Sequence, residues 1–494
     1  MNTLSRRGFI AASASAIAAA QMPRLAFAQS ASPIALSAAT RTLDIDGRAA
    51  TVFGLSGPAG HGLTFDPGER FQVDLTNNLD VPTIIHWHGQ IPPNVQDGAP
   101  NTVPMMAPGE TRSHDFETRP GTHWMHAHVP THEMRLLAAP LIVRSPEDLS
   151  ADRQEVVMFL HDFSFDTPEE VLEEIAENGV EHAEEAAESG MAMEGMMNME
   201  GMMGMEGMSN MEGMMGMEGM AMDLNDYDWD AYLANDRTLS DPEVVQVDRG
   251  GRIRLRVVNA AAATVFWIDT GAAQARLIAV DGDPVQPLTG TRFGLAMAQR
   301  LDLEIDLPDE GGAWPILALR EGARERTGLI LATPGAEIRR IDAKGETEAP
   351  AFDIDLSQEA RLVARHPLPD RPVDRTQMVM LGGSMQPYVW TMNGTVYGQH
   401  QPVTARAGER VSLVFHNMSM MGHPIHLHGH VFQVVRLNGR RISGALRDTV
   451  YVPPRSMVEV VLDAGEAAPW VLHCHHMPHL AAGMMTEFSV ASTS

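Results

Sequence analysis

Residues 471–485 read V-L-H-C-H-H-M-P-H-L-A-A-G-M-M. Cys474 is the sole cysteine among 494 residues, so no disulfide can form within the chain and this thiol serves packing or chemistry. A free cysteine is most often a small buried hydrophobe. Its neighbours here are imidazoles and a thioether: His473 and His475 flank it, His479 follows five residues on and Met484 ten. Cysteine, two histidines and a weak axial methionine are the ligand set of a blue-copper electron-transfer site. His479 and Met484 supply two of those positions, and the second imidazole must come from elsewhere. Successive side chains of a strand point to opposite faces. If Cys474 faces one metal, His473 and His475 face away from it, toward something on the other side of the same strand.

Three more histidine clusters supply partners. They are His86-Trp87-His88-Gly89, His126-Ala127-His128 and His423-Pro424-Ile425-His426-Leu427-His428-Gly429-His430. In each H-x-H pair both imidazoles lie on one face of a strand. The pairs 86/88, 126/128, 426/428 and 473/475 therefore place eight histidines where they can converge. His423 stands off that register, before a proline, and is free to serve Cys474. One such pair is commonly surface or core decoration; four pairs with Cys, His and Met at ligand spacing are a metal pattern.

The motifs H-W-H-G, W-M-H-A-H, H-P-I-H-L-H-G-H and H-C-H-H-M-P-H-L-A-A-G-M together resemble those of the multicopper oxidases, the family of laccases, ferroxidases and bacterial cuprous oxidases. They lie toward both ends of the chain, as in that family. The resemblance implies four copper ions. His423, Cys474, His479 and Met484 would hold the type 1 copper, and His86 and His426 the type 2 copper. His88, His126, His128, His428, His473 and His475 would hold the type 3 pair, completing a trinuclear cluster where O2 binds. The family often has an acid directly after the type 1 histidine of the last motif, where this chain has Leu480. Asp97, in Q-D-G-A-P, matches a family acid near the cluster and is expected to deliver protons, although a turn residue before Gly98 would look the same. Met420 and Met421 precede Gly422-His423, and Met421 resembles a methionine that holds substrate copper in cuprous oxidases; ordinary packing is its alternative. His132, His430 and His476, close to the ligands, are expected in orienting or surface roles.

The chain opens S-R-R-G-F-I at 5–10, continues through an apolar run and reaches A-F-A at 26–28. That is a twin-arginine export signal over 1–28, too short to be a membrane anchor. A periplasmic mature protein without a membrane span is expected. The formal net charge of −28 disfavours nucleic acid as a partner and favours cations. Three segments repeat one pattern: D-P-G-E-R-F-Q-V-D-L-T-N-N at 66–78, D-R-G-G-R-I-R-L-R-V-V-N at 248–259 and A-R-A-G-E-R-V-S-L-V-F-H-N at 405–417. Each is a glycine-containing turn, an arginine, an alternating strand and an asparagine. The repeat predicts an all-β protein of three Greek-key sandwiches, cupredoxin-like by the resemblance. They are expected at 34–146, 153–335 and 350–490, the third carrying the type 1 site. The middle one offers no ligand motif and is expected to act as a spacer, with the cluster between the first and last.

The middle sandwich is interrupted at 167–222. Thr167-Pro168 starts a helix, nine glutamates follow between 169 and 188, and 191–222 holds 15 of the 34 methionines in six-residue units such as M-M-G-M-E-G. Without Leu, Ile, Val or aromatic residues, that repeat cannot build a core. Thioethers prefer Cu(I), so the repeat is expected to collect copper; a flexible linker or an antioxidant surface are the blander readings. Residues 223–233 are expected to be helix-rich. The combined expectation is a monomeric oxidase coupling one-electron oxidation, first of Cu(I), to reduction of O2 to water, serving copper tolerance. A laccase acting on a small aromatic reductant, such as a phenol or aromatic amine, is the alternative, and a non-catalytic copper-sequestering protein a third.

Overall fold

The computed structural model describes residues 32–177 and 224–493. The expected export signal and the methionine repeat lie outside the described residues. The strands form six principal sheets, two in each third of the chain. The all-β expectation holds, and the repeated sequence explains why.

Each repeat opens on a glycine with positive φ (Gly68 +82°, Gly250 +62°, Gly408 +80°), a conformation that strains any residue with a Cβ. It then runs into a strand: Arg70–Asn77, Arg252–Asn259 and Arg410–Asn417. Each strand pairs in parallel with one earlier strand of its sheet and antiparallel with a later one. Alternation sends Phe71, Val73 and Leu75, then Ile253, Leu255 and Val257, then Val411, Leu413 and Phe415 into their cores.

The closing asparagine acts as a staple. Asn77 Nδ2 donates to the carbonyls of Val81 and Met106 at 2.9 and 3.0 Å. Asn259 Nδ2 donates to Thr264 and Leu295, both at 2.9 Å, and Asn417 Nδ2 to Met421 and Val452 at 2.7 and 3.0 Å. All three are fully buried, where an amide must find partners, so the side chain fixes the turn leading to the opposite sheet.

In the first third, that opposite sheet contains Ile85–His88 paired antiparallel with Gly121–Ala127, putting His86 directly across from His126. In the last third it contains His423–Leu427 paired with Pro469–Cys474, putting His426 across from His473 and Ile425 across from Cys474. Trp87, Trp124, Trp390 and Trp470 are fully buried around these strands.

Thr167 caps the expected helix: Glu170 N donates to its Oγ1 at 3.3 Å and its own N donates to Glu170 Oε2 at 2.8 Å. The helix runs from 168 to the last residue described before 224. The helix-rich expectation at 223–233 is wrong over the described part. Residues 224–230 have no helix, and Ala231–Ala234 is a strand, with Ala231 paired to Phe163. Asp230 Oδ2 accepts from Ser164 Oγ and Phe165 N at 2.9 and 2.8 Å, so tertiary pairing overrides the local preference.

Candidate metal centres

The Cys474 site lies within the last sandwich. Cys474 Sγ is 3.8 Å from His423 Nδ1 and 3.7 Å from His479 Nδ1, and those two nitrogens are 3.1 Å apart. Met484 is buried in the same core, and its carbonyl accepts from Cys474 N at 3.0 Å. Burial pushes the thiol up and both imidazoles well below their ordinary values. Neutral imidazoles are ready donors, whereas a thiolate here needs a cation's charge beside it. Both imidazoles are fully buried. His423 Nε2 meets Ser419 Oγ at 2.8 Å, and His479 Nε2 lies 3.6 Å from Asp226 Oδ2, which accepts from Tyr388 Oη at 2.9 Å. His476 stacks on His479 at 3.8 Å, and Trp390 covers it at 4.0 Å.

The other eight histidines converge between the first and last sandwiches, and all are buried. Nε2 of His86 faces Nε2 of His426 at 3.4 Å, and Nε2 of His428 faces Nε2 of His128 and of His473, each at 3.2 Å. His475 Nε2 faces His126 Nε2 at 3.4 Å. The opposite ring nitrogens settle which carry protons. His86 Nδ1 donates to the Asp97 carbonyl at 2.8 Å, His426 Nδ1 to the Asp448 carbonyl at 2.8 Å and His473 Nδ1 to the Cys474 carbonyl at 2.9 Å. His428 Nδ1 donates to Asp97 Oδ2 at 2.7 Å. A neutral imidazole has one N–H, so 86, 426, 428 and 473 all turn lone pairs inward. Lone pair against lone pair at this distance is repulsive unless cations lie among them, and this is the donor set that copper takes. His88 is reversed: its Nε2 meets Asp448 Oδ1 at 3.1 Å, and its Nδ1 is buried without a partner among the described residues. Triads able to surround an ion include His86/His88/His126, His86/His426/His428, His128/His428/His473 and His423/Cys474/His479. All eleven Cys and His residues expected as ligands are thus brought to two places, with Met484 beside the first.

Asp97 is where the resemblance put it, touching His428 and lying 3.5 Å from His86 Nδ1 through Oδ1. Met421 is nearly buried and lines, with Met420, Glu321, Tyr451, Leu224 and His476, a cavity of about 20 Å³ beside the Cys474 site. His430 Nδ1 donates to the His428 carbonyl at 2.9 Å, an orienting role.

Sequence reasoning missed four residues. Glu133, on the short helix Pro130–Glu133, is buried with Oε2 2.7 Å from His126 Nδ1 and Oε1 3.6 Å from His475 Nδ1. That helix packs against Met477–Ala481, which carries Leu480, so an acid absent from one side of the interface is supplied by the other. Asp448 holds His88 and is itself gripped by fully buried Arg300 of the middle sandwich, Nη1 to Oδ1 at 2.6 Å. Asp226 caps His479. None of these lies at ligand spacing in the sequence, so no local pattern marks them. The middle sandwich, expected to be a spacer, thus reaches the cluster through Arg300.

Sequence models of the multicopper oxidase family match residues 40–148, 156–333 and 370–494. The chain is similar to the multicopper oxidase MmcO of Mycobacterium tuberculosis, at 30% identity over 98% of this chain and 96% of that one. It is similar to copper resistance protein A of Escherichia coli, at 25% identity over 88% of each. The crystal structure of a multicopper oxidase from Pseudomonas thermotolerans shares the fold, with a TM-score of 0.66 and 23% identity over 92% of this chain and 98% of that one. Two histidine-rich centres joined by one H-C-H strand, in a chain matched by the family along most of its length, have one reading: the chain belongs to the multicopper oxidases, copper-dependent oxidoreductases that pass electrons from a reducing substrate to O2.

Proposed function

We propose that this oxidase acts on Cu(I), returning it as Cu(II), and serves copper tolerance in the periplasm after export by the twin-arginine leader at 1–28. His423, Cys474, His479 and Met484 would hold a type 1 copper, His86 and His426 a type 2 copper, and His88, His126, His128, His428, His473 and His475 a type 3 pair. Four bound coppers supply storage for the four electrons that turn O2 into two waters. The chain's part is to hold the imidazoles neutral and aimed, to exclude water by burial, and to connect the centres. His473 and His475 are the covalent neighbours of Cys474, so the covalent path between the two proposed centres would span one residue. Asp97 orients His428 and His86, and its Oδ1 is buried without a hydrogen bond among the described residues, which suits proton delivery to the cluster.

The observation that carries the choice of substrate is the closed outer edge of the Cys474 site. Neither imidazole is exposed, a hydroxyl and a carboxylate stand at their outer nitrogens, and the adjoining cavity has about 20 Å³. That volume suits a water or a metal ion, whereas cavities that take benzene are nearer 150 Å³. Its lining of Met420, Met421, His476 and Glu321 offers thioether, imidazole and carboxyl donors. Two larger surface clefts, about 720 and 750 Å³, include none of the twelve proposed ligands in their linings. Residues 191–222 are read as a collector of Cu(I) for this edge.

Oxygen uptake by the copper-loaded protein, with Cu(I) or a simple phenol, tests the proposal in the full chain and in a form lacking 191–222. Cu(I) turnover is expected to dominate and to fall without the repeat. Faster phenol turnover, untouched by the deletion, would make the protein a laccase, and no uptake would leave sequestration.

A further inference from the structure

Five exposed methionines crowd one side of the last sandwich: Met378, Met380, Met418, Met420 and Met457. Three strands meet there in register. Met380 of Arg375–Met385 pairs with His416 of Arg410–Asn417, and His416 pairs with Met457 of Met457–Asp463. Val379, Leu381, Phe415 and Val458 are core residues of this sandwich, so alternation turns Met380, His416 and Met457 to the outer face together. Met380 and Met457 are 41% and 36% exposed, and His416 is half-buried between them. Paired positions on neighbouring strands stand about 5 Å apart. One imidazole therefore rises between two thioethers, each on a side chain long and flexible enough to bend toward it. The His416 side chain has no hydrogen bond or ion pair among the described residues, whereas His423 and His430 of the same sandwich are tied down.

We propose that Met380, His416 and Met457 form a surface binding site for a soft monovalent metal ion, Cu(I) or its analogue Ag(I). Thioether and imidazole donors favour Cu(I) over the hard cations that the acidic surface also attracts. Thioethers carry no charge to repel a cation and no proton to lose. Its position suits delivery inward. Asn417 follows His416, its Oδ1 accepts from Ser419 Oγ at 2.8 Å, and Ser419 Oγ meets His423 Nε2 at 2.8 Å. The exposed row ends within seven residues of a proposed type 1 ligand, and Met418 and Met420 lie along the intervening turn.

Binding here does not depend on what the type 1 site oxidises, and Ag(I), which has no electron to give, tests it alone. The copper-loaded full chain is treated with diethyl pyrocarbonate, with and without Ag(I) in excess over all its thioethers, and labelling of His416 is read by peptide mass spectrometry. Ag(I) is expected to slow labelling of His416 about tenfold, the effect of a site more than nine-tenths filled. The Met380→Leu/Met457→Leu variant keeps the patch apolar and, both residues being exposed, keeps its thermal midpoint; in it the protection is expected to vanish. Unchanged labelling in the wild type, or equal protection in the double variant, overturns the proposal.

Discussion

The cluster and the Cys474 site are joined by one strand, yet they are built on opposite plans. The cluster draws its imidazoles from two sandwiches and locks most of them from behind, with Asp97, Glu133 and Asp448 or backbone carbonyls at the non-facing nitrogens. The Cys474 site draws every donor from one sandwich, and its outer nitrogens meet a hydroxyl and a more distant carboxylate. The cluster is a closed chamber whose donors are fixed before any metal arrives. The Cys474 site is fixed on its inner side and lined with methionine on its outer side. Under the proposed function, the outer edge serves traffic and the chamber retention.

Cys474→Ser breaks the comparison most severely. It is expected to remove the copper–thiolate colour and oxygen uptake while the histidine cluster still retains copper by metal analysis; loss of all copper would show that the two centres assemble as one. Arg300→Met comes next. It leaves Asp448 and Asp281 without one of their buried cations, and breaking such a pair costs about 3–5 kcal/mol. A clear fall in chemical-denaturation stability is expected, with copper lost from the cluster before the Cys474 site.

Glu321, beside the Met421 cavity, sharpens the outer-edge side. Burial pushes its carboxyl up to about 8, with one hydrogen bond from Phe352 N at 2.6 Å opposing the shift. The folded chain holds this proton more tightly than the unfolded chain, so the stabilisation is fully present below about pH 4.5 and is lost as pH rises through about 8. Glu321→Gln is expected to flatten that dependence, with a difference on the order of 5 kcal/mol between the two ends; parallel stability–pH curves for variant and wild type would contradict it. Glu133→Gln has the smallest expected effect, a ten- to hundredfold loss of copper affinity at the cluster, roughly 1.4–2.8 kcal/mol, measured by competition with a chelator. Its effect on the Cys474 copper is expected to be absent.

The proposed ligands were legible as clusters because their logic is local. A strand of period two makes H-x-H a one-faced pair, and the Arg-to-Asn repeats carry their own turn, strand and staple. What supports the ligands was not legible. Glu133 reaches His475 across more than three hundred residues of chain, Arg300 reaches Asp448 from another sandwich, and Asp226 arrives from a stretch that read as helical. Each is an ordinary acid or base in an irregular sequence, defined only when sheets from different thirds of the chain pack together. Leu480 shows the limit in reverse: the missing acid signalled a gap, and the neighbour that fills it lies on a short helix with no motif.

The most direct test of the central claim is the ratio of Cu(I) consumed to O2 consumed by the copper-loaded full chain, with hydrogen peroxide assayed in the same vessel. Cu(I) feeding one electron at a time through Cys474 into a closed four-electron cluster predicts four Cu(I) per O2, no released peroxide and slower uptake with a phenol. Two Cu(I) per O2 with peroxide appearing, or faster uptake with the phenol, would contradict it.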